Sequence, residues 1–246
     1  MTTHSKKSPH KDKVILTAAQ FTKSYREFPV VNSVSFDLAE GEILGIIGPN
    51  GAGKTTLMKC LAGLLFADEG AVHFKGVYVP PARRREIMFY LPDGVVPWSD
   101  QPVWRITGFF RELHGFSLAR EAEVVHSLQL TPVLTKKGHT LSKGYHRRLL
   151  LALALLTPQP VLILDEPFDG FDLRQTLYVM DLLREVSRER SLILSIHQLR
   201  DAERICDRIM LLDAGQRVGL GTLKELAEQA RMQTTDLEEV FLGLTQ

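Results

Sequence analysis

A chain of 246 residues with 44% hydrophobic and 24% charged residues carries enough apolar material for one or two packed domains and is not a disordered polymer. Its formal net charge of +1 offers no global basic field, so a nucleic-acid partner is not expected and an anionic ligand must be held by local geometry. The apolar stretch at residues 149–156 falls far short of the ~20 needed to cross a bilayer, and the basic start lacks a signal-peptide core, so neither a spanning nor an exported chain is expected.

Residues 1–13 hold Lys6, Lys7, Lys11 and Lys13 among Ser, Thr and His and read as a solvated tail. Short apolar runs at 15–21, 31–36 and 43–47 follow and predict strands, the early ones antiparallel. The last of them feeds residues 48–56, GPNGAGKTT. Gly48, Gly53, Lys54 and Thr55 meet the G-x-x-x-x-G-K-[ST] spacing between a strand and a helix, the arrangement that wraps the triphosphate of a nucleotide. Glycines let backbone N–H groups turn inward on the phosphates, with Asn50, Gly51, Ala52 and Thr56 completing the wrap. Lys54 supplies a point charge, Thr55 a hydroxyl for Mg²⁺, and the following helix its positive end. Cys60, in that helix, and Cys206 are isolated and lack C-x-x-C spacing, which suits a reducing compartment.

A further run at 86–90 leads to Pro92, Asp93 and Gly94, which on residue chemistry alone is a turn or an acceptor-only oxygen site. Residues 98–156 read mainly helical; Trp98, Trp104, Phe109, Phe110 and Phe116 concentrate there, and core packing is expected for most of them. Within this segment LSKGYHRRL places Ser142 where it can cap a helix, and with Gly144 it makes a candidate anion site. The run at 161–164 delivers Asp165 and Glu166 at the end of a buried strand, where one carboxylate can hold Mg²⁺ and the other polarise a water. Another at 192–196 ends at His197, and one more spans 208–213. At the C-terminal end Thr235 and Glu238 have capping-box spacing, and Leu237, Val240, Phe241 and Leu244 line one helical face.

In that order, GPNGAGKTT, LSKGY, VLILDEP, FDGFD and SIH resemble the ATP-binding subunit of an ABC transporter from about Ile15 onward. The resemblance implies an α/β fold: a P-loop NTPase (RecA-like) core with an antiparallel β subdomain and an inserted helical subdomain. Residues 14–97 and 157–221 would be core, 98–156 the helical insertion and 222–246 C-terminal helices. It implies ATP and Mg²⁺ as ligands and two ATP molecules enclosed by a head-to-tail pair of identical subunits on the cytoplasmic side of a membrane, driving a separate integral permease. Lys54 and Thr55 would serve phosphate and metal, Asp165 the metal, Glu166 the catalytic base, and His197 the γ-phosphate. Ser142 and Gly144 would touch the partner's ATP, Asp172 would lie across the seam, and Tyr25 would stack on adenine. Two positions depart from the pattern: Lys143 stands where a glycine is usual, either adding a charge-assisted contact to the incoming triphosphate or reaching into solvent, and Asp93 where a glutamine is usual, as a magnesium-facing residue. The ending LEEVFLGLT, with LSKG and an acidic residue 93, is similar to ABC-2-type exporters. A soluble ABC-type ATPase acting on ribosomes or DNA is the competing reading; it lacks the second ATPase unit or coiled-coil insertion such proteins tend to carry, and a small-molecule kinase would leave LSKGY and His197 without a role.

Overall fold

The computed structural model describes residues 13–95, 98–234 and 236–245. The tail expected over residues 1–13 therefore lies outside the described residues except for Lys13, whose ammonium is 3.7 Å from Glu40. Two sheets form the frame. In the first, β1 (Val14–Tyr25) pairs antiparallel with β2 (Phe28–Ala39) and with β4 (Glu69–Phe74), and β5 (Val77–Tyr78) extends the edge. In the second, β3 (Ile43–Ile47), β6 (Met88–Leu91), β7 (Val161–Asp165), β8 (Ser191–Ser195), β9 (Arg208–Asp213) and β10 (Gln216–Gly221) take the order β10-β9-β3-β8-β7-β6. All pairs in it are parallel except β10 with β9.

Every residue of β3, β7 and β8 is buried, so these strands read as unbroken apolar runs, and their period of two shows only in which core each residue enters. Val161 and Ile163 face a core shared with the antiparallel sheet and helix α1 (Lys54–Leu61). Leu162 and Leu164 face the other core, built with the helices α2 (Val103–Leu113), α3 (Leu118–Ser127), α4 (Lys143–Leu155), α5 (Leu173–Val186) and α6 (Leu199–Ile205). The central sheet is thus covered on both sides, as parallel strands require. Helices α7 (Leu223–Gln229) and α8 (Leu237–Leu244) close the second core at the C-terminal end.

The expected strands are all present; β4, β5 and β10 lie outside the expected runs. The capping box expected at the last helix includes Thr235, which lies outside the described residues. The side chain that caps α8 is Asp236, accepting from the Glu238 backbone N–H at 2.8 Å. Core packing of the aromatic cluster holds only in part. Phe110 packs against the core, whereas Trp98, Trp104 and Phe109 are 49%, 54% and 48% exposed. The reason is geometric: α2 turns Val103, Ile106 and Thr107 inward, leaving Trp104 outside that buried stripe, and Trp98 stacks edge-on against Phe109 at 5.2 Å outside the core.

Candidate functional site: a nucleotide site at the carboxyl edge of the parallel sheet

The phosphate loop leaves β3 at its carboxyl end and enters α1 through Gly53. Gly53 has φ +97°, and a Cβ there would lie 2.3 Å from the Val30 carbonyl oxygen, so both backbone angle and space demand glycine. Gly53→Ala is expected to lose at least about 1–2 kcal/mol of stability for the left-handed conformation alone, measurable by denaturant unfolding, with ATP affinity falling in parallel. Asn50 and Gly51 are exposed at the mouth of the loop, while Ala52 is buried against the frame and Gly48 lies under Leu212. Lys54 Nζ donates to the carbonyl oxygens of Gly48 at 2.6 Å and Pro49 at 3.1 Å, which holds the ammonium along the inner wall of the loop. Burial pushes its pKa down, and the facing Glu166 and Asp165 pull it back up.

Opposite the loop, β7 ends in Asp165 and Glu166. Thr55 Oγ1 donates to Asp165 Oδ2 at 3.0 Å, so the hydroxyl and carboxylate expected at the metal converge on one point. Hard oxygen donors in this pairing suit Mg²⁺, which takes few protein ligands and completes its shell with phosphates and water. Asp165 is held from two more sides, by Tyr90 from β6 at 3.0 Å and by Ser195 from β8 at 2.5 Å. Burial, then Asp165, pushes the Tyr90 hydroxyl pKa strongly upward, which keeps it a donor. The same Ser195 oxygen accepts from the Glu166 backbone N–H at 2.9 Å, where Glu166 has φ 51°. A left-handed non-glycine at a strand end costs about 1–3 kcal/mol. Here it turns the Glu166 side chain to the far side of Asp165, where His197 Nε2 lies 2.5 Å from Glu166 Oε1. A cavity of about 310 Å³ opens beside this pair, lined also by Phe171, Thr176 and Gln198.

Lys54, Thr55, Asp165, Glu166 and His197 are thereby brought together; Thr56 follows on α1, half-buried. Tyr25 stands exposed at the end of the β1–β2 hairpin with the Lys23 ammonium 5.8 Å from its ring centre. Ser142 and Gly144 sit elsewhere, at the start of α4. Ser142 caps that helix as expected, accepting from the Tyr145 N–H at 3.4 Å, and is exposed. Asp172 caps α5, accepting from the Gln175 N–H at 2.9 Å.

Both departures find partners that the sequence analysis did not foresee. The Asp93 carboxylate, expected to face magnesium, accepts here from Arg147 Nη2 and lies near enough to Tyr90, itself bonded to Asp165, to act on it electrostatically. The guanidinium of Arg147 has a side chain only 6% exposed, and a buried cation draws the nearest anion. Asp93→Ala is accordingly expected to cost about 1–3 kcal/mol in unfolding free energy, the usual cost of leaving a buried donor without its partner. Lys143 pairs within its own chain with Asp169 at 2.9 Å. Tyr90, Ser195 and Arg147 are the site residues sequence reasoning missed; Tyr90 lies three positions before Asp93 and Ser195 two before His197, and nothing local distinguishes either.

The family model described as ABC transporter matches residues 31–169. An uncharacterized ABC transporter ATP-binding protein of Methanocaldococcus jannaschii is 32% identical over 213 residues, 85% of this chain and 78% of that protein. A Nod factor export ATP-binding protein I of Rhizobium meliloti is 35% identical over 221 residues, 86% of this chain and 65% of that protein. The linearmycin resistance ATP-binding protein of Bacillus subtilis is 27% identical over 241 residues, 93% of this chain and 78% of that protein. Among solved structures, an ATP-binding subunit of an ABC transporter superposes with a TM-score of 0.86 at 27% identity, covering 94% of this chain and all of that one.

Proposed function

This chain belongs to the ABC transporter ATP-binding family, and on that premise we propose that it is the ATPase motor of an exporter whose membrane-spanning permease is a separate polypeptide. ATP is the substrate. The observation that carries the reading is the convergence of Thr55, Asp165, Glu166 and His197 at the mouth of the phosphate loop. Export is supported by the similarity to the Nod factor export and linearmycin resistance proteins.

In the proposed reaction the loop N–H groups and Lys54 hold the β- and γ-phosphates, with Tyr25 stacked on the base. Thr55 and Asp165 would hold Mg²⁺, which when bound screens the phosphate charge. Glu166 accepts a proton from the water that attacks the γ-phosphorus, and His197, already on Glu166, contacts the γ-phosphate. Ser142 and Gly144 of a second, identical copy would supply donors to the open side of the γ-phosphate, with Asp172 across the seam. This requires head-to-tail pairing. The core (14–97, 157–221), helical insertion (98–156) and C-terminal helices (222–246) would move as units on closure.

No helix among the described residues is long and apolar enough to cross a membrane. Attachment to the cytoplasmic face of the membrane through the permease is therefore proposed, and the exposed face of Trp98, Trp104, Phe109 and Leu113 is the surface that supports an apolar partner. Replacing Trp98 and Trp104 together by Asp is expected to leave ATP binding unchanged and to release the chain from permease-containing membranes, scored by co-sedimentation. Retention on those membranes would place the docking surface elsewhere.

A further inference from the structure

The start of α4 carries two cations in a place that local physics disfavours. Lys143 and Arg147 are four residues apart on one helical face, where like charges repel, and they occupy the positive end of the helix, with no acidic residue in its first turn. Anions from two other segments compensate. Asp169 lies between the pair: Lys143 Nζ is 2.9 Å from its Oδ2 and 3.2 Å from its Oδ1, Arg147 Nη2 is 3.9 Å from Oδ2, and Arg147 Nε donates to the Asp169 backbone carbonyl at 3.3 Å. Asp93, just past β6, takes the other side of Arg147. The Lys143 stem lies across Gly170, which has φ +85° and where any Cβ would meet Lys143 Cγ at 2.7 Å. The lysine stem is therefore seated on that turn, with the side chain still 68% exposed.

We propose that Lys143 and Arg147 are positioning residues for Ser142. With Asp169 and Asp93 they form a four-membered charge bridge, alternating in sign, that fixes the first turn of α4 to the turn three residues beyond Glu166. Resting on the head-to-tail pairing proposed above, the bridge ties the part of a subunit that faces the partner's ATP to the residue that acts on its own. The two departures at positions 93 and 143 are thus ends of one device: a glycine at 143 could not reach Asp169, and an uncharged residue at 93 could not balance Arg147. The bond to Lys143 lowers the Asp169 carboxyl below its ordinary value, the sign expected of a carboxylate bonded to a cation.

The test is a double-mutant cycle on the full chain, Lys143→Gln against Asp169→Asn, reading ATPase kcat, Hill coefficient and the Kd of a fluorescent ATP analogue. Both residues are part-exposed, so the variants should fold, which the melting temperature checks. Each single variant is expected to lower kcat by about tenfold or more through misplacement of Ser142, bring the Hill coefficient toward one, and keep the analogue Kd within about threefold. The double variant should lose no more than the worse single one, because one bridge is broken either way. If Lys143→Gln slows turnover while Asp169→Asn does not, Lys143 acts directly on phosphate and the bridge is overturned. Wild-type turnover in both singles, or losses that multiply in the double, overturns it as well. Failure of the ATPase reading would look different, as absence of hydrolysis by the unaltered chain.

Discussion

Glu166→Gln is expected to bind ATP as tightly as the unaltered chain and to hydrolyse it about 10²–10⁴-fold more slowly, the usual loss when a positioned base is removed. The substitution keeps size and shape and removes only the capacity to take a proton. The backbone that aims the side chain is held independently, by Ser195 on the Glu166 N–H and by the Glu166 carbonyl accepting from the Asp169 N–H at 3.2 Å, so the amide should sit where the carboxylate does. His197 would lose an ionic partner and keep an acceptor. Single-turnover hydrolysis with saturating ATP measures the effect without interference from product release. Unchanged turnover would remove Glu166 from the reaction and shift attention to His197.

The second large effect is expected at the phosphate loop. Lys54→Met should weaken ATP binding by about 10–100-fold, because a hydrogen bond to a charged oxygen contributes about 1.5–3 kcal/mol. The methionine also abandons the Gly48 and Pro49 carbonyls, which the ammonium now satisfies, so part of any loss could reflect a loosened loop. The two contributions separate on measuring unfolding free energy beside the Kd: a stability change smaller than the binding change assigns the remainder to phosphate. An unaltered Kd would mean that the backbone amides alone hold the nucleotide.

Strands β3, β7 and β8 were legible because they are buried on both faces and their sequences are unbroken apolar runs ending at the loop, at Asp165 and near His197. The same ends placed most of the site. Strands β4 and β10 were not legible: one opens with an exposed Glu69 and Gly70 and the other holds two glycines in six residues, so neither shows a strand-like alternation. The support beneath the site escaped detection for a different reason. Tyr90 and Ser195 reach Asp165 across 75 and 30 residues of chain, pairings set by the parallel order of the sheet, and Arg147 reaches Asp93 across 54 from helix α4, none of them by local spacing. The partners of Asp93 and Lys143 escaped for the same reason: their chemistry was read against the nucleotide, and the opposite charges the fold supplies come from distant segments.

Two copies that each complete the other's ATP site are the core of the proposed mechanism, and sedimentation of the full-length Glu166→Gln chain, with and without ATP and magnesium, examines that pairing most directly. The slow variant should travel as a monomer alone and as a dimer once ATP is added, reverting when Ser142 is also replaced by Phe to block the seam. A species that stays monomeric at saturating ATP, both alone and beside its permease, would contradict the shared site.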